Sequence, residues 1–192
     1  MKANRGLLVV FSGPSGSGKG TVLKDAMSKN ENLELSVSAT TRLPRQGEQD
    51  GISYYFLDKD TFIKKRDENG FLEWAEFCDN FYGTPADKVE DRLNAGKDVV
   101  LEIEVQGAMK VKERFPEAVL IFNMPPSMEE LKLRLIGRQT ESEDVINNRL
   151  KTAEWEISMA DKYDHIIVND EVEKAALALI SIINEEKNKN LR

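Results

Sequence analysis

The stretch Leu7-Leu8-Val9-Val10-Phe11-Ser12-Gly13-Pro14-Ser15-Gly16-Ser17-Gly18-Lys19-Gly20-Thr21 decides the fold. Its apolar, β-branched first third reads as a fully buried strand. A glycine-rich turn follows, and the helical pattern Val22-Leu23-Lys24-Asp25-Ala26-Met27 comes directly after it. Gly13, Gly16 and Gly18 permit positive φ and close backbone approach, so successive N–H groups can face inward at a helix N-terminus, where the dipole favours an anion. Lys19 is placed to reach the outer phosphates of a nucleoside triphosphate. The spacing G-x-x-x-x-G-K matches the P-loop, in the strand-to-helix context that confirms one. The usual Ser/Thr after the lysine is Gly20, so the hydroxyl that normally touches Mg²⁺ is missing. Thr21 or water then covers that role, and Mg²⁺ is expected to be held mostly by phosphates. A glycine-rich turn that merely reverses the strand is the plainer alternative, and it leaves Lys19 unexplained.

Outward from this stretch, 192 residues suffice for one domain with a sizeable core. A hydrophobic content of 40% and a charged content of 32% are those of ordinary soluble globular proteins. A formal charge of −7 argues against a nucleic-acid binder with a basic face, so local arginines must meet any anionic ligand. The single cysteine, Cys78, cannot form an internal disulfide, the N-terminus does not resemble a signal peptide, and the apolar runs are far shorter than a membrane span. A cytoplasmic protein is expected, with no nucleic-acid or membrane partner.

Further along, Leu33 to Ser38, Ile52 to Leu57 and Phe71 to Phe77 read as strands, with a helix across Lys59 to Glu68. A helix runs from Pro85 towards Ala95-Gly96. Strands Val99 to Ile103, Ala118 to Asn123 and Ile166 to Val168 then alternate with helices, one of them opened by Ser127 and Glu130 at capping-box spacing. Thr140 and Glu143 repeat that spacing before a helix with Ile146, Leu150, Ala153, Ile157 and Ala160 on one face. The last helix carries Val172, Ala175, Leu179 and Ile182 or Ile183 inward. The expected fold is α/β: a three-layer core with a mainly parallel sheet, ligands at its C-terminal strand edge, an inserted mixed α+β lobe and a short lid. The expected division is core 1–35, 97–137 and 149–192, insert 36–96 and lid 138–148, within one domain.

Two groups of arginines narrow the chemistry. Arg42 and Arg45 lie in a turn-prone loop and can fork one phosphate, with Tyr54 and Tyr82 as hydroxyl donors. A solvated loop and half-buried core tyrosines explain the same residues. Arg134 and Arg138 are four apart on one helical face, and with Arg149 they flank a polar segment such as a closing lid would use. Positive charge delivered there is what a phosphoryl-transfer transition state needs, while a solvated helix face is the alternative.

The chain resembles the guanylate kinase family over about residues 6–186. The motifs that carry the resemblance are Gly13 to Thr21, Ser38 to Glu48, Phe71-Leu72-Glu73-Trp74-Ala75-Glu76-Phe77, Tyr82-Gly83-Thr84 and Leu101-Glu102-Ile103-Glu104-Val105-Gln106-Gly107. Pro125-Pro126-Ser127, Arg134-Leu135-Ile136-Gly137-Arg138 and Ile167-Val168-Asn169-Asp170 complete the set. The resemblance implies transfer of the terminal phosphoryl of ATP to GMP, and of dGMP as a further acceptor, with Mg²⁺. It implies that Arg42, Arg45, Tyr54 and Tyr82 hold the GMP phosphate. Glu73 and Thr84 would read guanine near Ser38, with Glu102 and Glu104 on the GMP and metal-water side. Gly13, Pro14, Ser15, Gly16, Ser17, Gly18, Lys19, Gly20, Thr21 and Asn169 would bind ATP, and Lys19, Arg134, Arg138 and Arg149 would act on the transferred group. The chemistry agrees, since guanine offers N1–H and an amino group side by side to a carboxylate, whereas adenine has no donor at N1. The acceptor phosphate has its second pKa near 6, so no general base is needed and His165 reads as structural. Cys78 reads as a small packing residue, Trp74 as an anchor of the inserted lobe and Trp155 as part of a helix face. The rival from another class is a catalytically inactive relative that binds phosphopeptide in the GMP site. Oligomeric state is not legible.

Overall fold

The structure is a computed structural model that describes residues 5–137 and 143–190. Arg138 and the expected N-cap Thr140 lie outside the described residues.

A five-stranded, all-parallel sheet organises the chain. Its strands are β1 (Leu8–Ser12), β2 (Leu33–Leu35), β7 (Asp98–Glu102), β8 (Val119–Met124) and β9 (His165–Val168), in the spatial order β2-β7-β1-β8-β9. Every residue of β1 is buried, as its continuous apolar run requires for a strand covered on both faces. Alternation along β1 divides the core in two. Val9 and Phe11 face α1 (Lys19–Lys29) and α7 (Val172–Asn190), with Val22, Leu23, Ala176, Leu179 and Ile183. Leu8 and Val10 face α3 (Ala86–Asn94) and α4 (Val105–Arg114), with Val89, Leu93, Val105 and Val111. Sheet and helices therefore form three layers. All five strands are parallel, so the loops after Ser12, Glu102, Met124 and Val168 gather at one edge.

A second, mixed sheet carries β3 (Ala39–Thr40), β4 (Tyr55–Phe56), β5 (Phe71–Phe77) and β6 (Asn80–Pro85) in the order β4-β3-β6-β5. With α2 (Lys59–Asp67) it closes over Ala39, Phe62 and Phe71, where the Phe62 and Phe71 rings stack at 4.3 Å. Trp74 packs against this cluster and meets Phe81 edge-on. Only Tyr55 and Phe56 of the expected strand 52–57 pair as a strand, because Gly51 and its neighbours form a turn that exposes Ile52. Cys78 is not a packing residue: it is exposed in the β5–β6 turn with φ 49°.

Two helices complete the described chain, α5 (Met128–Ile136) and α6 (Glu143–Ser158), packed together through Leu131, Leu135, Ile146 and Ala153. Ser127 caps α5 by accepting the Glu130 N–H at 3.1 Å, but the Glu130 carboxylate turns to Arg134 instead of completing the box. Among the described residues no helix is long and apolar enough to cross a membrane. His165 opens β9 at the edge opposite the gathered loops and bonds Glu186 at 2.9 Å.

Candidate active site

The glycine-rich loop leaves β1 at Gly13 and enters α1 at Lys19. Gly13 has φ +148°, and a Cβ there would stand 2.4 Å from the Asn123 carbonyl oxygen. Gly18 has φ +85°, and a Cβ would stand 2.7 Å from Asn169 Nδ2. Both positions exclude a side chain on conformational and steric grounds. The loop is anchored from below chiefly at Ser17, whose hydroxyl also accepts from Asn123 Nδ2 at 3.0 Å. The Ser17 carbonyl accepts from Asn169 Nδ2 at 2.7 Å, Asn123 Nδ2 at 2.9 Å and, at 3.5 Å, Arg134 Nη1. Ser17, Asn123 and Asn169 are all buried. Lys19 folds back over the loop and donates from Nζ to the Gly13 and Pro14 carbonyls at 2.7 and 3.1 Å. Thr21 is exposed in the first turn of α1.

The arginines expected to act on the phosphates come to different parts of this loop. Arg149, on α6, donates from Nη2 to Ser15 Oγ at 2.8 Å. Arg134, on α5, is held by Glu130 at 3.0 Å and donates to the Asn169 carbonyl at 3.2 Å, so its guanidinium lies with Ser17 and Asn169. Glu156, also on α6, is buried at 7% exposure. Burial pushes its carboxyl up, against the pull of the Lys19 charge and a hydrogen bond from the Ser15 N–H, while the Glu104 charge pushes the same way as burial.

On the second sheet, Arg42 pairs with Glu48 at 2.9 Å and sits 5.5 Å from the centre of the Tyr54 ring, which meets Tyr82 edge-on at 6.2 Å. Glu48, together with Tyr82, raises the Arg42 pKa. The same pairing, together with the Arg45 N–H at 2.7 Å, holds Glu48 below its usual range. Arg45 is exposed on this loop. Three of the four residues expected around a phosphate thus converge, with Glu48 as an additional anion among them.

Glu73 on β5 and Thr84 on β6 meet across the hairpin. Thr84 Oγ1 donates to Glu73 Oε1 at 2.7 Å, and Thr84 is fully buried. Burial raises the Glu73 pKa, while the Thr84 hydrogen bond and the Lys110 charge oppose that rise. Its second oxygen faces Gly107 of α4, where a Cβ would come within 3.4 Å. Ser38, half-buried, lends its carbonyl to the Tyr55 N–H at 2.9 Å. Glu102 ends β7 with its carboxylate beside the loop, since a Cβ on Gly20 would lie 3.8 and 3.9 Å from its two oxygens. Glu104 stands at the N-cap position of α4 without a side-chain capping bond, and its charge is felt by both Glu73 and Glu156, which places it between the two halves of the site.

Besides Glu48 beside Arg42, two further positions escaped the sequence reading. Asn123 is a polar residue inside the apolar run of β8, and Glu156 is a charged residue on the buried stripe of α6. In both cases a polar group interrupting an otherwise apolar pattern was the available signal.

Beside its phosphate-type loop, half-buried Glu73 carboxylate and arginine-tyrosine cluster, the chain carries a family signature along its sequence. The sequence model described as guanylate kinase matches residues 5–186. The chain belongs to the guanylate kinase family. A guanylate kinase of Halalkalibacterium halodurans is 50% identical over 192 residues, covering 100% of this chain and 94% of its relative. One from Bacillus anthracis is 53% identical over 184 residues, covering 95% of this chain and 90% of its own. Among solved structures, guanylate kinase from Anaplasma phagocytophilum superposes with a TM-score of 0.74 at 38% identity, covering 97% of this chain and 89% of that one.

Proposed function

We propose that this member of the guanylate kinase family transfers the terminal phosphoryl of ATP to GMP, giving ADP and GDP, and accepts dGMP in the same way. The observation that carries the reading is the Glu73–Thr84 pair at 2.7 Å, a half-buried carboxylate with one oxygen already engaged. Guanine presents two adjacent N–H donors to the acceptor capacity that is left, and adenine presents only one. Arg42, Tyr54 and Tyr82 then take the GMP phosphate, with Arg45 approaching from its exposed loop. Occupation by phosphate would compete with Glu48 for the Arg42 guanidinium.

The loop 13–21 takes the triphosphate through its main-chain amides, Lys19 leaves the Gly13 and Pro14 carbonyls for the phosphates, and Asn169 borders the base. Arg149 supplies charge to the transferred group, and Arg138 is proposed for the same role. Arg134 supports the base side of the loop through Ser17 and Asn169. Catalysis is positioning plus charge stabilisation. The acceptor oxygen is already largely deprotonated at neutral pH, and His165 is bonded to Glu186 at the far edge of the sheet.

The residues present fit a Mg²⁺ ion bound with ATP. Gly20 puts no side chain against the Glu102 carboxylate, whose oxygens lie 3.8 and 3.9 Å from where a Cβ would stand. Glu102, through water, and Thr21 would complete a coordination sphere made mostly of phosphate oxygens. When bound, the ion neutralises charge on the phosphates.

The activity belongs to purine nucleotide metabolism, and we place it in the cytoplasm. A coupled ADP-release assay with GMP, dGMP, AMP and UMP tests the reading. Turnover with GMP and dGMP alone is expected. Equal turnover of AMP would refute guanine selection, and no turnover with any acceptor, with phosphopeptide binding instead, would establish the binding module.

A further inference from the structure

The hairpin that brings Glu73 to Thr84 is irregular at that point. Between the pairs Phe71–Pro85 and Trp74–Gly83, β5 advances by three residues while β6 advances by two, so Leu72 and Glu73 both stand opposite Thr84. This is a β-bulge, and it decides which way Glu73 faces. In an unbroken strand Glu73 would share a face with Phe71, whose ring stacks on Phe62 in the aromatic cluster. Here Trp74, three residues on, packs against the same cluster as Phe71, and Leu72 goes to the other side with Val105, Ala108 and Val111 of α4. Glu73 follows Leu72 and brings its carboxylate against Gly107 of the same helix.

α4 also holds the bulged main chain. Arg114 Nη1 donates to the Phe71 carbonyl at 2.8 Å and to the Leu72 carbonyl at 3.2 Å, and Lys110 Nζ reaches the Trp74 carbonyl at 3.4 Å. Successive carbonyls of a regular strand point to opposite sides, so one nitrogen meeting two in a row is a mark of the bulge. β5 lies at the edge of its sheet, so carbonyls on its outer side need donors from elsewhere. Gly107, Lys110 and Arg114 stand at i, i+3 and i+7, which is one face of a helix. That face makes room for the carboxylate at one end and fastens the backbone that aims it at the other.

We propose that Arg114 is a positioning residue for base choice: its hold on the Phe71 and Leu72 carbonyls keeps the bulge that turns Glu73 towards the guanine site. The proposal rests on the reading of Glu73 as the group that selects guanine. Without the guanidinium the bulge competes less well with regular pairing, in which Glu73 would turn to the aromatic face. Guanine then meets a carboxylate that is less often in place, while the phosphate and ATP contacts are untouched.

Steady-state ADP release with GMP and with AMP, in the native protein, Arg114→Met, Glu73→Gln and the double variant, tests this. Met keeps the apolar stem of Arg114 but removes its donors. In Arg114→Met the ratio of kcat/KM for GMP to that for AMP should fall about ten-fold, the scale of one hydrogen bond from a charged group, through the KM for GMP and with the KM for ATP within about two-fold of native. Added to Glu73→Gln, the same change should lower the ratio less than about two-fold further, because a residue acting through Glu73 has nothing left to position. Arg114→Gln, whose shorter amide keeps a neutral donor, carries the test if Arg114→Met does not melt cooperatively, with an expected loss of about five-fold. A ratio within about two-fold of native in either folded variant would overturn the proposal, and so would a full loss of about ten-fold in the Glu73→Gln background, which marks a merely structural role. If Glu73→Gln alone leaves the ratio unchanged, the guanine reading of Glu73 fails, and the proposal with it.

Discussion

Replacing Glu73 by Gln tests the guanine reading most sharply. In the structure Thr84 Oγ1 occupies one side of Glu73 Oε1 at 2.7 Å, leaving the rest of the carboxylate to receive two N–H groups of the base. Each charge-assisted hydrogen bond of this kind contributes about 1.5–3 kcal/mol. Gln keeps one acceptor and turns an N–H₂ towards a base that offers donors, so at least one such bond is lost. The kcat/KM for GMP should fall roughly 10- to 100-fold. The same amide presents an acceptor and a donor side by side, which suits the amino group and N1 of adenine, so AMP should gain relative to GMP. Steady-state ADP release with both acceptors measures the ratio. A pH series adds a second arm. Burial lifts the Glu73 carboxyl above its ordinary value, and GMP requires its ionised form, so affinity is full above the raised pKa and is lost as pH falls through it. Glu73→Gln should lack that component and retain only the phosphate ionisation of GMP near 6, which both proteins share. A GMP-to-AMP preference unchanged within about three-fold would refute the reasoning.

Gly18→Ala places a Cβ on a residue with φ +85° and 2.7 Å from Asn169 Nδ2. The left-handed conformation costs about 1–2 kcal/mol and the displaced Asn169–Ser17 bond about 1 more, which for a chain of this size lowers Tm by roughly 5–10 °C in a calorimetric scan. A loss under about 2 °C would contradict the packing described for the loop. Arg149→Ala removes a cation held at Ser15, and kcat should fall about 100-fold or more with the KM for GMP within about three-fold. The opposite split in steady-state kinetics would move Arg149 to the GMP side.

The core strands were legible because their runs are apolar on both faces: β1, β7 and β8 appear within a residue or so of the expected bounds. The glycine-rich loop and its lysine were legible because few other structures need that residue set at that spacing. The inserted sheet was harder to read. β3 has two residues and β6 contains Gly83 and Pro85, so neither has enough periodicity to declare itself. The three aromatics at 54–56 looked like one strand, but the turn at Gly51 lets only the last two pair in the sheet. In the site, Arg42, Tyr54 and Tyr82 lie together, and Glu73 finds Thr84 across the hairpin. Glu48, Asn123 and Glu156 were not read because each acts through tertiary partners distant in sequence or through a turn whose shape the sequence leaves open.

The Ser17 carbonyl, met by donors from the ends of β8, α5 and β9, has a consequence for how the cycle is divided. A main chain tied down on three sides is ready before any substrate enters, so little ordering entropy remains to be lost there. On the proposed roles, rearrangement in each turnover falls on side chains that would change partners, Lys19, Arg42 and Arg149, while the floor beneath them stays still.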